Sequence, residues 1–150
     1  MKNYPQQYLV IDDDKTNNII CELIIKKFDP SSNIDLFLSP ETALDFIEKE
    51  YPKKYYNCPT IILLDINMPT MTGFEFLDMF KKMKKEIQNQ FIIYMLSSSM
   101  EDFNYQASQY TIVKKLFSKP LKTSDLEEIW KEVVYNKINL QTNHNIELKK

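Results

Sequence analysis

Apolar residues along this chain come in two rhythms, short unbroken runs and stripes at helical spacing, and the two alternate from Tyr8 to about Val134. Tyr8 to Ile11 is a run that stops at Asp12-Asp13-Asp14. From Thr16 the period changes, and Ile19, Ile20, Leu23, Ile24 and Phe28 form the stripe expected to face a core. A strand, an acidic turn and an amphipathic helix therefore open the chain. After the turn cluster Asp29-Pro30-Ser31-Ser32-Asn33, Ile34, Leu36 and Leu38 alternate with Asp35, which predicts a strand with one wetter face at a sheet edge. Ser39-Pro40 reads as an N-cap with proline in the first helical position, and Ala43, Leu44, Phe46 and Ile47 follow as the buried stripe of a helix that ends by Pro52. Tyr51 to Pro59 is expected to be a surface connection without chemistry of its own.

Ile61 to Leu64 is again unbroken and stops at Asp65. The loop Asn67-Met68-Pro69-Thr70-Met71-Thr72-Gly73 contains the only glycine of the chain, and Thr72-x-x-Glu75 is a capping box. Phe76, Leu77, Phe80, Met83 and Ile87 then predict one third helix, with Lys81, Lys82, Lys84 and Lys85 on a solvated face. Phe91 to Leu96 ends at Ser97-Ser98-Ser99, where Ser99-x-x-Asp102 caps a fourth helix. Its stripe of Phe103, Ala107 and Tyr110 is thin, so this helix is expected to be the most mobile. Lys115 to Ser118 is a last short strand before Lys119-Pro120. Ser124-x-x-Glu127 opens the final helix, with Leu126, Ile129, Trp130, Val133 and Val134 inward. The pattern dissolves from about Asn136, so the expected organisation is one domain over residues 1–136 and a frayed or disordered tail over 137–150, which holds the only histidine, His144.

Strands alternating with helices make an α/β fold with a five-stranded parallel sheet and five helices, because each helix returns the chain for a right-handed crossover. The unbroken runs near Tyr8, Thr60 and Phe91 belong inside the sheet and the wetter strands at its edges. That matches the doubly wound, flavodoxin-like order 2-1-3-4-5.

Composition narrows the functions open to such a domain. A net charge of -2 gives no long-range attraction to nucleic acid or anionic lipid, and all 19 basic residues are lysines, so no arginine is available to read guanine. No run approaches the length of a membrane span, and the N-terminus lacks the apolar core of a signal peptide. Cys21 and Cys58 match neither a zinc spacing nor a disulfide framework, which fits a reducing cytoplasm.

The candidate chemistry lies where ligands gather in open parallel sheets, beyond the carboxyl ends of the strands. Asp12 and Asp13 follow the first strand, Asp65 the third, Ser97 the fourth and Lys119 the fifth. Each alone has an ordinary explanation as a cap, turn or strand end. Together they bring three carboxylates to one rim, where a hard divalent cation such as Mg²⁺ relieves their repulsion and a lysine supplies charge for a phosphoryl group.

These residues resemble the response-regulator receiver family from about Tyr8 to Val134. The matching pieces are Asp12-Asp13 after an apolar strand, Leu64-Asp65-x-x-Met68-Pro69-x-x-x-Gly73, Leu96-Ser97 and Ser118-Lys119-Pro120, in the family's order. The resemblance implies that Asp65 is phosphorylated to an acyl phosphate. It also implies Mg²⁺ held by Asp13, Asp65 and the backbone carbonyl of Asn67, with Asp12 acting mainly through water in the metal's shell. Ser97 and Lys119 would each meet a phosphoryl oxygen. The implied donor is a histidine kinase or histidine phosphotransfer protein. The expected product is a phosphoacceptor switch rather than an enzyme, signalling by protein contact as a stand-alone receiver, monomeric or weakly dimeric on phosphorylation, without nucleic acid or membrane. One departure stands out: the family often has an aromatic residue three before the lysine, and here that position is Leu116, with Phe117 beside it.

A rival reading is an enzyme. Asp12-x-Asp14-x-Thr16 after an apolar strand also resembles the nucleophile motif of haloacid-dehalogenase-type phosphatases, with Asp12 and Asp14 as the working pair. That family needs an acidic metal-binding motif after its lysine. The acids beyond Lys119 all belong to the last helix or the tail, and Asp65-x-x-Met68-Pro69 would remain unexplained.

Overall fold

The computed structural model describes residues 6–51 and 58–148, with side chains through residue 136. Strands β1 (Gln7–Ile11), β3 (Thr60–Asp65) and β4 (Phe91–Ser97) are buried along almost their whole length, as a strand covered on both faces requires. β2 (Asn33–Phe37) and β5 (Val113–Ser118) are the wetter strands, and the parallel sheet runs β2-β1-β3-β4-β5. The order expected from the runs is thus the one observed.

Alternate residues of the central strands feed two separate cores. Leu9, Ile11, Ile62 and Leu64 pack beneath α2 (Pro40–Glu50) and α3 (Gly73–Phe80), against Ala43, Ile47, Phe76 and Phe80. Tyr8, Val10, Ile61 and Leu63 face the opposite way, toward Cys21 and Ile25 of α1 (Lys15–Phe28) and Ile129 and Val133 of α6 (Thr123–Leu148). Burying such side chains stabilises the fold by about 1.5–3 kcal/mol each, so this double layer holds the rim that carries the site.

Several local expectations need correction. In α1 the stripe that faces the sheet is Asn18, Cys21 and Ile25, while Ile19 is 44% and Leu23 65% exposed. The helix is turned because the Asn18 amide is held under the end of the sheet by two backbone carbonyls. The third helix is not continuous. It stops at Phe80, the chain turns through Lys82 and Met83, and a short α4 (Lys85–Gln88) follows. Like charges on Lys81, Lys82, Lys84 and Lys85 oppose a continuous helix, and the Gln88 side chain donates to the carbonyls of Lys81 (3.1 Å) and Met83 (2.6 Å), which stabilises the break.

Capping follows expectation at Ser39 and Thr72, whose hydroxyls accept from the amides of Thr42 and Glu75. At α5 (Met100–Ser108) the Ser99 side chain makes no capping bond; the Ser99 amide instead donates to Ser97 Oγ at 3.0 Å. α6 opens at Thr123, and the Asp125 carboxylate, rather than a Ser124–Glu127 pair, takes the Lys122 amide at 2.9 Å. Tyr51 is buried and donates its hydroxyl to Thr60 Oγ1, whereas residues 52–57 of the same connection lie outside the described residues. The α6 backbone is helical through Leu148, past the expected end near Asn136. The side chains of 137–148, His144 included, lie outside those described, and so do residues 149–150.

Candidate functional site

Asp12 follows β1 directly and is buried, while Asp13 beside it is exposed. The turn between β1 and α1 is built from these acids themselves: the Asp14 amide donates to Asp12 Oδ1 at 2.9 Å, and Asp14 Oδ1 accepts from the amides of Thr16 (2.8 Å) and Asn17 (3.4 Å). Asp14 is therefore occupied as the N-cap of α1. Asp65 is the last residue of β3 and only 6% exposed. Its place depends on Gly73. A Cβ at that position would lie 2.5 Å from the Asp65 carbonyl oxygen and 2.8 Å from Met95 Cε. Gly73 serves this close approach and has no positive φ, so its value is space rather than a left-handed turn.

Lys119 enters from the end of β5. Its amide donates to the Ser97 carbonyl at 2.9 Å, and its Nζ lies 2.8 Å from Asp12 Oδ2 and 2.8 Å from Asp65 Oδ1. One oxygen from each of Asp12, Asp13 and Asp65 lies within 4.8 Å of the others. Two of the three carboxylates thus share one ammonium, and the balance is visible in the proton affinities of Asp65 and Lys119. Burial pushes Asp65 up to about 6; the hydrogen bond from Lys119 opposes that shift, and the charges of Asp12 and Asp13 add to it. Burial pulls Lys119 down, but its hydrogen bonds to Asp12 and Asp65 more than reverse this, and its net shift is upward.

A polar cleft of about 210 Å³ opens over these groups, lined also by Asp14, Asn17, Asn67, Ser97 and Ser98. Ser97 is buried at the end of β4 and Asn67 is exposed in the loop after β3. All the rim residues expected from the sequence therefore meet in one cleft. The donor set is oxygen only, anionic and half open to water, which fits a hard divalent cation and not a thiolate- or imidazole-bound metal.

Two further placements matter. Leu116 is buried on the α2–α3 side of the sheet, opposite Met95. Phe117 points to the other side, where its ring stacks on Tyr94 at 5.4 Å, so it cannot substitute for an aromatic at 116. Sequence reasoning also missed Asn18, which is buried against the Asp12 carbonyl. The available signal was its spacing, because Asn18, Cys21 and Ile25 fall on one helical face.

Residues 8–131 match the response regulator receiver domain. Among solved structures, a two component response regulator from Cytophaga hutchinsonii is similar at 29% identity and a TM-score of 0.79, over 89% of this chain and 99% of that one. A response regulator receiver protein from Dyadobacter fermentans DSM 18053 is similar at 24% identity and a TM-score of 0.74, over 86% and 98%. The receiver domain of a sensor histidine kinase from Pseudomonas aeruginosa PAO1, solved with a magnesium ion coordinated in its active site cleft, shares the fold at 17% identity and a TM-score of 0.68, over 87% and 98%. The rival phosphatase reading pairs Asp12 with Asp14 and needs an acidic metal-binding motif after the lysine, but Asp14 Oδ1 caps α1, and among the described residues the acids close enough to share a cation are Asp12, Asp13 and Asp65, all before Lys119 in the chain. With its family match spanning β1 to α6 and its acidic cleft closed by a lysine, this chain belongs to the response regulator receiver family.

Proposed function

We propose that Asp65 accepts a phosphoryl group from a phosphohistidine of a histidine kinase or histidine phosphotransfer protein, and that the phosphorylated chain signals by binding a protein partner. The observation that supports this most is the single ammonium of Lys119, 2.8 Å from both Asp12 and Asp65 in a cleft that gathers three carboxylates. Such a cleft is short of positive charge. Asp12, Asp13, Asp65 and the Asn67 backbone carbonyl would hold Mg²⁺, which supplies that charge and stabilises the transferring phosphoryl group.

The ionised carboxylate of Asp65 is itself the nucleophile and requires no general base. As its oxygen bonds to phosphorus, the phosphorus–nitrogen bond to the donor imidazole breaks. The imidazole leaves with the electron pair and is protonated by solvent. Lys119 gives up its contact with the Asp65 carboxylate for a phosphoryl oxygen, and the Ser97 hydroxyl donates to another. A protein that performs this transfer is a phosphoacceptor switch.

The test is incubation with Mg²⁺ and a small acyl phosphate, read by intact mass and peptide mapping. The expected product is one acid-stable, base-labile phosphate on Asp65, absent without Mg²⁺ and absent in Asp65→Asn, which keeps the shape but is no nucleophile. Undiminished uptake by folded Asp65→Asn would move the nucleophile elsewhere, with Asp12 the first place to look.

A further inference from the structure

An amide is buried in α1 where the sequence led us to expect an aliphatic stripe. Asn18 is 2% exposed, and its Nδ2 donates to the carbonyls of Asp12 (3.0 Å) and Phe37 (3.2 Å). The amide of Asp12 donates to that same Phe37 carbonyl at 3.1 Å. One side chain of α1 thus ties the end of β1 to the end of β2, at the residue that begins the acidic turn. The arrangement is not a stability optimum, because Asn18 Oδ1 is buried without a hydrogen-bond partner among the described residues and carries the desolvation cost of an unmade bond. An apolar side chain beside Cys21 and Ile25 would avoid that cost. What it could not do is hold the Asp12 peptide.

We propose that Asn18 is a positioning residue for the cation site: by clamping the Asp12 carbonyl it fixes the backbone from which the Asp12 and Asp13 carboxylates reach Asp65. This rests on the magnesium reading above. Asn18 reaches the site only through Asp12. Without the clamp the Asp12 peptide can turn its carbonyl toward water, and Asp13, next in the chain and exposed, moves with the loop.

Mg²⁺ affinity, measured by titration calorimetry on protein shown to be folded by circular dichroism, tests this. Asn18→Leu, close in volume but unable to donate, is expected to bind Mg²⁺ about tenfold more weakly, the lower end of what loss of a group orienting a metal ligand produces. Val133→Ala, a cavity in the core beneath α6 on the far part of the same layer, should lower the melting temperature and leave Mg²⁺ affinity unchanged. Asn18→Ser, whose hydroxyl can serve one carbonyl, should fall between parent and Asn18→Leu, and it carries the test if the leucine variant does not fold. Parental affinity in a folded Asn18 variant, or an equal loss in Val133→Ala, would overturn the inference. A parent chain that itself ignores Mg²⁺ would overturn the site reading on which it stands.

Discussion

Asp65 is held between opposing influences, since burial and two neighbouring carboxylates favour its protonated form while Lys119 favours its anion. The net shift to about 6 lies above the value of about 3.9 for an aspartate in an unfolded chain, so over that interval the folded state binds more protons. Stability contributed by this group therefore falls as pH rises from about 4 to about 6, and the full cost is present above 6. In the absence of divalent cation, Asp65→Asn should melt above the parent at pH 7.5, with the gap closing toward pH 4.5. A gap that does not change with pH would mean that Asp65 is ionised without strain. Gly73 makes the second residue-scale case. With the Asp65 carbonyl oxygen 2.5 Å from where a Cβ would sit, backbone must move to admit a methyl group. Gly73→Ala should cost about 2 kcal/mol and reduce phosphoryl uptake at Asp65, whereas Met71→Ala in the same loop should leave uptake near parental. Full stability and uptake in Gly73→Ala would show that the contact is easily relieved.

At the scale of elements, what the sequence disclosed depended on how many faces of an element are covered. β1, β3 and β4 were legible because a strand buried on both faces must be apolar at every position, and the edge strands because β2 and β5 leave polar residues such as Asp35 and Lys115 outside. The site was legible for a related reason: parallel strands bring their carboxyl ends to one rim, so residues far apart in sequence share a location once the order is known. Helix rotation was not legible. α1 offers two overlapping stripes, and the choice between them is made by Asn18 bonding to β2, a contact with no periodic signature. The break after Phe80 was hidden likewise, because Ile87 remains buried on the expected face even though the helix before it has ended. The rotation of α1 can be tested by substitution. Leu23→Lys, at a position 65% exposed, should change stability by less than about 0.5 kcal/mol. Ile25→Ala, at a fully buried position, should cost about 3 kcal/mol. Denaturant unfolding that ranks them the other way would restore the aliphatic stripe.

Across the whole molecule the question is how an event at Asp65 reaches a surface that a partner can read. Under the proposed transfer Ser97 would link the two, because its hydroxyl accepts from the Ser99 amide just where α5 begins, and a turn of that hydroxyl toward a phosphoryl group would give up this bond. α5 is poorly placed to resist. Ala107 is its one buried residue, and the Ser99 side chain makes no capping bond. What holds this region laterally is aromatic: Phe74 meets Phe103 at 6.2 Å and Tyr110 at 5.3 Å, and the Tyr110 hydroxyl donates to Asp78 at 3.1 Å. Leu116 is already buried in this layer, so position 116 offers no ring to be drawn in and the two states would gain less separation from repacking there. The change is then expected as a shift in order of α5 rather than a rotamer flip in β5. Beryllofluoride with Mg²⁺, a mimic of the phosphoryl group, should alter amide exchange mainly across residues 97–116, and Tyr110→Phe should raise exchange there before any mimic is added. Leu116→Tyr, which introduces a ring able to occupy an outward and an inward position, should widen the difference in partner affinity between the two states. Exchange changes confined to the loops around Asp13 and Asp65, with nothing beyond Ser99, would show that the signal leaves the cleft by another face.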